Sequence, residues 1–303
     1  EITESRDESR VAHLALGPER GVVVWDEWNR ADKHGVIRTS TFARKDVSNV
    51  TRPRSVSAAD EDAEAPRIVR RPGGFWLAWI SGAAKPKRTL ALPAKPKAPA
   101  LASAPSVQEP DVAPLELGQR VLRVVPLDGN GVPVAEPKSV TAKDAHVLGF
   151  DLEAGSDGTA LLAWRDDDTA PGAEERSVHL ARVKPDGSID KNVLYDDEAG
   201  AGVPSLLVDA TPRDPNAPSV WLALDSVSDA TRIAAVGPGG SLLDALGPEP
   251  VIRSGDPLLI ASGRWLVAKS RGLASELSVV ECKPSAPPTA ASDEAPRAAS
   301  SGR

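Results

Sequence analysis

The chain has no methionine, one cysteine, one tyrosine, three phenylalanines and four histidines. A single cysteine excludes an intrachain disulfide and a cysteine-built zinc cluster. Cys282 reads instead as a buried strand residue. His13, His34, His146 and His179 are not spaced as metal ligands are. No apolar run approaches the ~18 residues that a membrane-spanning helix needs. There is no D-x-[DN]-x-[DN]-G calcium loop, no G-x-S-x-G elbow and no phosphate-cradling glycine pattern. A net charge of −7, with no compact basic patch, leaves no footprint for nucleic acid. No cofactor, metal set or catalytic motif is therefore expected. Because methionine is missing even from position 1, the expectation is a processed or trimmed product, and a removed secretory leader would account for it.

What is present is a repeated phrase. "GVVVWDEW" (21–28), "GFWLAW" (74–79), "GTALLAW" (158–164), "SVWLAL" (219–224) and "GRWLVA" (263–268) are short apolar runs entered through Gly or Ser. Runs this short, bounded by turn residues, read as buried strands. Each sits second in a frame of four candidate strands. The first frame is 11–16, 21–28, 35–42 and 54–57; the second is 66–70, 74–81, 120–127 and 138–141. The third is 147–153, 158–165, 177–183 and 192–195; the fourth is 204–209, 219–225, 232–236 and 249–252. The fifth, 257–261, 263–270 and 276–282, lacks an outer strand, which "EITESR" (1–6) is positioned to supply. "LDGNGVP" (127–133), "KPDGSID" (184–190) and "GPGGSLL" (237–243) fall between third and fourth strands, where Asp-Gly and Gly-Gly supply the positive φ of a tight turn.

Repeated four-stranded antiparallel units without helices predict an all-β fold, a β-propeller of about five blades over residues 1–282. Second strands of blades are covered on both faces, so they lose apolar–polar alternation and take large side chains. Trp25, Trp79 and Trp164 share one place, where Leu224 and Ala268 stand later; Trp76, Trp221 and Trp265 share another. All six tryptophans read as core, while Trp28, at a strand end, reads as partly exposed. Residues 82–118 are rich in Pro, Ala and Lys and read as an extended insertion; residues 283–303 read as a disordered tail.

The strand "GTALLAWRD", followed by "VHLARVKPDGSI" and the weaker "RVLRVVPLDGNGVP", resembles secreted or lipid-anchored β-propeller-like repeat proteins of myxobacteria and related bacteria. The resemblance implies a periplasmic, outer-membrane-associated or extracellular location and a scaffold or binding role.

Loop placement refines this role. In an antiparallel blade, the loop between second and third strands and the loop to the next blade open on one face. That face collects acids and Trp28: Asp26, Glu27, Asp166, Asp167, Asp168, Asp196, Asp197 and Glu198 among them. The insertion leaves from the same face and begins basic, with Lys85, Lys87, Arg88, Lys95 and Lys97. The leading expectation is a non-enzymatic binding or assembly module of the cell envelope, with an acidic docking face for a cationic protein partner and a mobile basic arm. A propeller glycoside hydrolase or lyase is the alternative. Hydrolysis needs two carboxyls roughly 5–10 Å apart, and the predicted innermost strands offer Asp151, Glu153 and Asp209. A structural subunit of a larger envelope complex is the second alternative.

Overall fold

The computed structural model describes residues 8–29, 33–83, 119–166, 177–196, 203–208, 219–225, 230–236, 252–253, 256–261, 264–271 and 274–281. These residues form twenty strands joined by turns, with no helix among them. The fold is all-β, built of successive antiparallel sheets.

The first sheet runs β1 (Glu8–Leu16), β2 (Arg20–Asn29), β3 (His34–Ala43) and β4 (Asp46–Val50), and β5 (Arg54–Ser55) also pairs with β3. The second runs β6 (Glu61–Arg71), β7 (Gly74–Ala83), β8 (Val121–Asp128) and β9 (Lys138–Ser139). The third runs β10 (Val147–Ala154), β11 (Ala160–Asp166), β12 (Ser177–Val183) and β13 (Ile189–Asp196). The fourth is β14 (Ser205–Val208), β15 (Val220–Asp225), β16 (Ala230–Val236) and β17 (Ile252–Arg253). The fifth has three strands, β18 (Asp256–Ala261), β19 (Arg264–Arg271) and β20 (Ala274–Glu281). The five repeated phrases are the second strands of the five sheets. The expected closing segment 1–6, the insertion from residue 84, the tail and Cys282 lie outside the described residues.

One strand was not expected. β4 is exposed along most of its length, Val47 included. An edge strand that buries nothing leaves no apolar pattern to read. It is held by polar groups instead: Thr51 N donates to Thr41 O (2.8 Å), and Thr41 N donates to Thr51 Oγ1 (2.9 Å).

The core lies between sheets. Val22, Val24 and Ile37 of the first sheet pack on Ile68, Leu77 and Trp79 of the second. Trp76 and Val124 of the second pack on Phe150, Leu162 and Trp164 of the third. Leu161 and Leu180 of the third pack on Leu206, Leu222 and Leu224 of the fourth. Second strands are therefore covered on both faces, which is why β7 carries eight buried residues in succession. Trp25, Trp76, Trp79, Trp164 and Trp221 are all buried, as expected; the Trp265 side chain lies outside the described residues. Burying ~150–250 Å² of indole is worth about 4–6 kcal/mol before entropy is counted. Two indoles also find polar partners across the core. Trp76 Nε1 donates to Gly158 O of the next sheet (2.9 Å), and Trp79 Nε1 donates to Glu61 Oε1 (3.2 Å).

Two of the three expected Gly turns can be inspected. Gly131 and Gly187 adopt φ of 72° and 81°. Asp128 Oδ1 accepts Asn130 N and Val132 N, and Asp186 Oδ1 accepts Ser188 N, so the Asp of each motif ties the turn to itself. The third, 237–243, lies outside the described residues.

Candidate active site

The first strands of successive sheets lie against one another in the order β1, β6, β10, β14, β18. Their registers against the second strands define equivalent positions. Leu14 pairs with Val23, Ile68 with Leu77, Leu152 with Leu162, Leu206 with Leu222 and Leu258 with Leu266. Each partner stands two residues before Trp25, Trp79, Trp164, Leu224 or Ala268. One residue earlier on the first strands stand His13, Arg67, Asp151, Ser205 and Pro257. Three ionisable side chains therefore occupy one level of three adjacent strands.

Two of these residues stitch sheet to sheet by the same bond. Ile68 N donates to His13 Nδ1 (3.0 Å), and Leu206 N donates to Asp151 Oδ2 (2.8 Å). In each case a polar side chain takes the main-chain N–H one position further on in the next sheet. Arg67 has no acceptor and cannot repeat the bond. The N–H left over, Leu152 N, turns to Asp151 Oδ1 of its own strand (2.9 Å).

Electrostatics draw the group together. Burial lowers the His13 pKa below its usual 6.5, and the Arg67 charge lowers it further, against smaller opposing effects from Asp151 and the Ile68 bond. With Nδ1 accepting from Ile68, the neutral ring carries its proton on Nε2 and presents a donor. Glu153 lies two residues beyond Asp151 on the same side of β10. Burial first, and the Asp151 charge second, push its carboxyl from 4.5 up to about 7. A carboxylic acid still protonated near neutrality, beside a second carboxyl group, is a proton donor next to an acceptor. The Arg67 guanidinium makes no side-chain hydrogen bond or ion pair among the described residues, and the residue is half-buried beside them. Among the described residues no group of His, Cys, Asp or Glu is arranged to hold a metal ion.

Asp151 and Glu153 were singled out from sequence; His13 and Arg67 were not, and Asp209 lies outside the described residues. The acidic docking face fares differently. Asp26 and Glu27 are buried, at 6% and 4% exposure. Asp26 Oδ1 accepts Val11 N (2.6 Å). Glu27 sits between the Trp25 indole (Nε1 to Oε2, 3.4 Å) and the Arg38 guanidinium (3.2 Å). The second sheet repeats this arrangement: Glu61 accepts from the Trp79 indole and pairs with Arg123 (3.2 Å). In the third sheet Trp164 stacks on His179, whose Nε2 lies 3.5 Å from Asp166 Oδ2. Trp25, Trp79 and Trp164 pair across strands with Arg38, Arg123 and His179, and an acid closes each set. These acids satisfy the core's indoles and bases. Asp26 and Glu27 are thus removed from the expected interaction face. Trp28 is half-buried beneath the Arg10 guanidinium, 5.2 Å from the ring centre. Asp167, Asp168, Asp197, Glu198, the Asp196 side chain, and Lys85, Lys87, Arg88, Lys95 and Lys97 lie outside the described residues.

No protein-family model matches the chain, and no curated protein matches it. Solved structures do. The GH43_1 enzyme from Xanthomonas citri complexed with xylose is 14% identical over 87% of this chain and 81% of its own, with a TM-score of 0.40. The endo-arabinase from Bacteroides thetaiotaomicron is 12% identical over 90% and 93%, at 0.44. The parainfluenza virus 5 hemagglutinin-neuraminidase ectodomain is 9% identical over 92% and 70%, at 0.46. The expectation of a non-enzymatic binding or assembly module with an acidic docking face is corrected here at that face: Asp26 and Glu27, chosen for it, are spent inside the first sheet.

Proposed function

We propose that the five sheets are blades of a five-bladed propeller, and that Asp151 and Glu153 form an axial acid–base site that cleaves a glycosidic bond. The observation that carries this reading is the carboxyl pair on β10: Asp151 and Glu153 stand two residues apart on one side of the strand, and burial, then the Asp151 charge, raise the Glu153 carboxyl to about 7. Two strand residues span about 7 Å, inside the ~5–10 Å window over which carboxyl pairs work on glycosides. Glu153 donates its proton to the departing oxygen. Asp151 holds or deprotonates the attacking water through lone pairs not used by Leu152 N and Leu206 N. His13 Nε2–H and the Arg67 guanidinium supply donors to sugar hydroxyls and to charge that develops in the transition state. An extracytoplasmic location goes with this reading, and cell fractionation tests it.

The experiment is a screen of plant and bacterial polysaccharides and aryl glycosides against the full chain, Glu153→Gln and Asp151→Asn. On any substrate that is cleaved, loss of the general acid should lower kcat by about 10²–10⁴. Aryl glycosides with good leaving groups need no protonation and should be spared in Glu153→Gln alone. Cleavage that survives both substitutions would refute the assignment.

A further inference from the structure

A second feature opens at the turn end of the first strands, the end toward which β10 carries Glu153. A cleft of about 350 Å³ lies between the first two sheets, lined by the β1–β2 turn, the end of β6, the β6–β7 turn and the Gly129–Asn130 turn. Three arginines line it, Arg20, Arg70 and Arg71, against one acid, Glu19. This part of the rim is therefore positive.

The arginines divide by role. Arg71 is structural: its guanidinium donates to Phe75 O (3.2 Å), Pro72 O (3.3 Å) and Leu127 O (3.5 Å), and lies 5.1 Å from the Trp76 ring centre. Arg20 and Arg70 are exposed and make no side-chain hydrogen bond or ion pair among the described residues. Two uncommitted forks flank a wall fixed by a third. Glycines let the chain segments behind that wall pack closely. A Cβ at Gly74 would stand 2.1 Å from Leu127 O, and one at Gly17 would stand 3.0 Å from both Arg20 O and the Phe75 ring.

We propose that this cleft binds the carboxylate of an acidic sugar. Planar carboxylates match the guanidinium fork bidentately, and the volume suits one or two sugar rings. Asn130 and Glu19, at the same opening, are partners for hydroxyls. Glu19 also disfavours a phosphate monoester, whose second negative charge would meet its own. The site stands apart from Asp151 and Glu153, so its occupancy is read by binding, whatever those residues catalyse.

The test is calorimetric titration of the full chain with di- and trisaccharides of glucuronic and galacturonic acid, their neutral counterparts, and sulfated counterparts. The acidic sugars should bind saturably at sub-millimolar to millimolar concentration, at least tenfold more tightly than the neutral ones, and more weakly as salt rises. Arg20→Ala with Arg70→Ala should weaken binding at least tenfold, and Glu153→Gln should leave it unchanged. Shifts of the Arg20 and Arg70 Nε–H resonances in the unsubstituted protein report the same site with no variant to fold. Absence of saturable binding by every acidic sugar, equal binding of the neutral sugars, tighter binding of the sulfated ones, or affinity untouched by the double substitution would each overturn the proposal.

Discussion

Replacing Glu153 by glutamine separates the acid's contribution to chemistry from its cost to the fold. In the folded chain the carboxyl titrates near 7, against an ordinary 4.5, because burial and then the Asp151 charge oppose ionisation. Between these two values the unfolded chain has released the proton and the folded chain still holds it. Stability therefore falls as pH rises through this window and is flat on either side. A rise from 4.5 to about 7, at 1.36 kcal/mol per unit, is about 3 kcal/mol of stability lost between pH 4 and pH 8. The neutral amide in Glu153→Gln would carry no such penalty. Urea unfolding of both proteins at half-unit steps should therefore show near-equal stability at pH 4.5 and a lead for Glu153→Gln growing to about 3 kcal/mol at pH 8. On a cleaved substrate, the parent's kcat should fall with pH above about 7, and that limb should vanish in the variant. A stability difference constant to within ~0.5 kcal/mol from pH 4.5 to 8 would show that Glu153 ionises like a solvent-exposed acid, and would remove the proton donor on which the proposed cleavage depends.

Other outcomes follow from single contacts. His13 should remain neutral, with its proton on Nε2, at pH values where a free histidine is charged, and ring ¹⁵N shifts read both; because its folded pKa is depressed, its stabilising share is lost as pH falls below 6.5. Trp79→Phe leaves a gap at a fully buried site and takes the indole N–H from Glu61, so chemical unfolding should register a loss of about 2–4 kcal/mol. Gly74→Ala puts a Cβ 2.1 Å from Leu127 O, forces β7 from β8 and should cost at least about 1–3 kcal/mol in thermal unfolding. Glu27→Gln keeps an acceptor for the Trp25 indole but loses the Arg38 charge pair; it should cost less than Glu27→Ala, which strands both donors, and the difference between the two melting temperatures measures this.

The architecture was legible because burial on both faces imprints itself on sequence. A strand such as β7 cannot alternate, and its Gly–Phe–Trp–Leu–Ala–Trp run marks it as a second strand wherever a cognate recurs. The exposed edge strand β4 carries no such mark. The acidic loop face misled for a related reason: sequence shows that Glu27 follows a strand's tryptophan, but not that the carboxylate folds back onto that indole. The candidate site was half legible, since Asp151 and Glu153 stand out as acids on an apolar first strand. His13 and Arg67 do not, because their equivalence to Asp151 is a matter of register. Counting back from the tryptophans fails across first turns that differ in length, being residues 17–19, 72–73 and 155–159. Only the ladder pairs Leu14, Ile68, Leu152 and Leu206 with one level of the second strands, and so brings a histidine, an arginine and an aspartate side by side. The bond that joins sheets at this level, side chain to the next sheet's N–H, requires an acceptor at the position. Histidine and aspartate meet that need; arginine, which has donors and no acceptor, cannot, and its strand leaves the Leu152 N–H of the next sheet to Asp151 Oδ1.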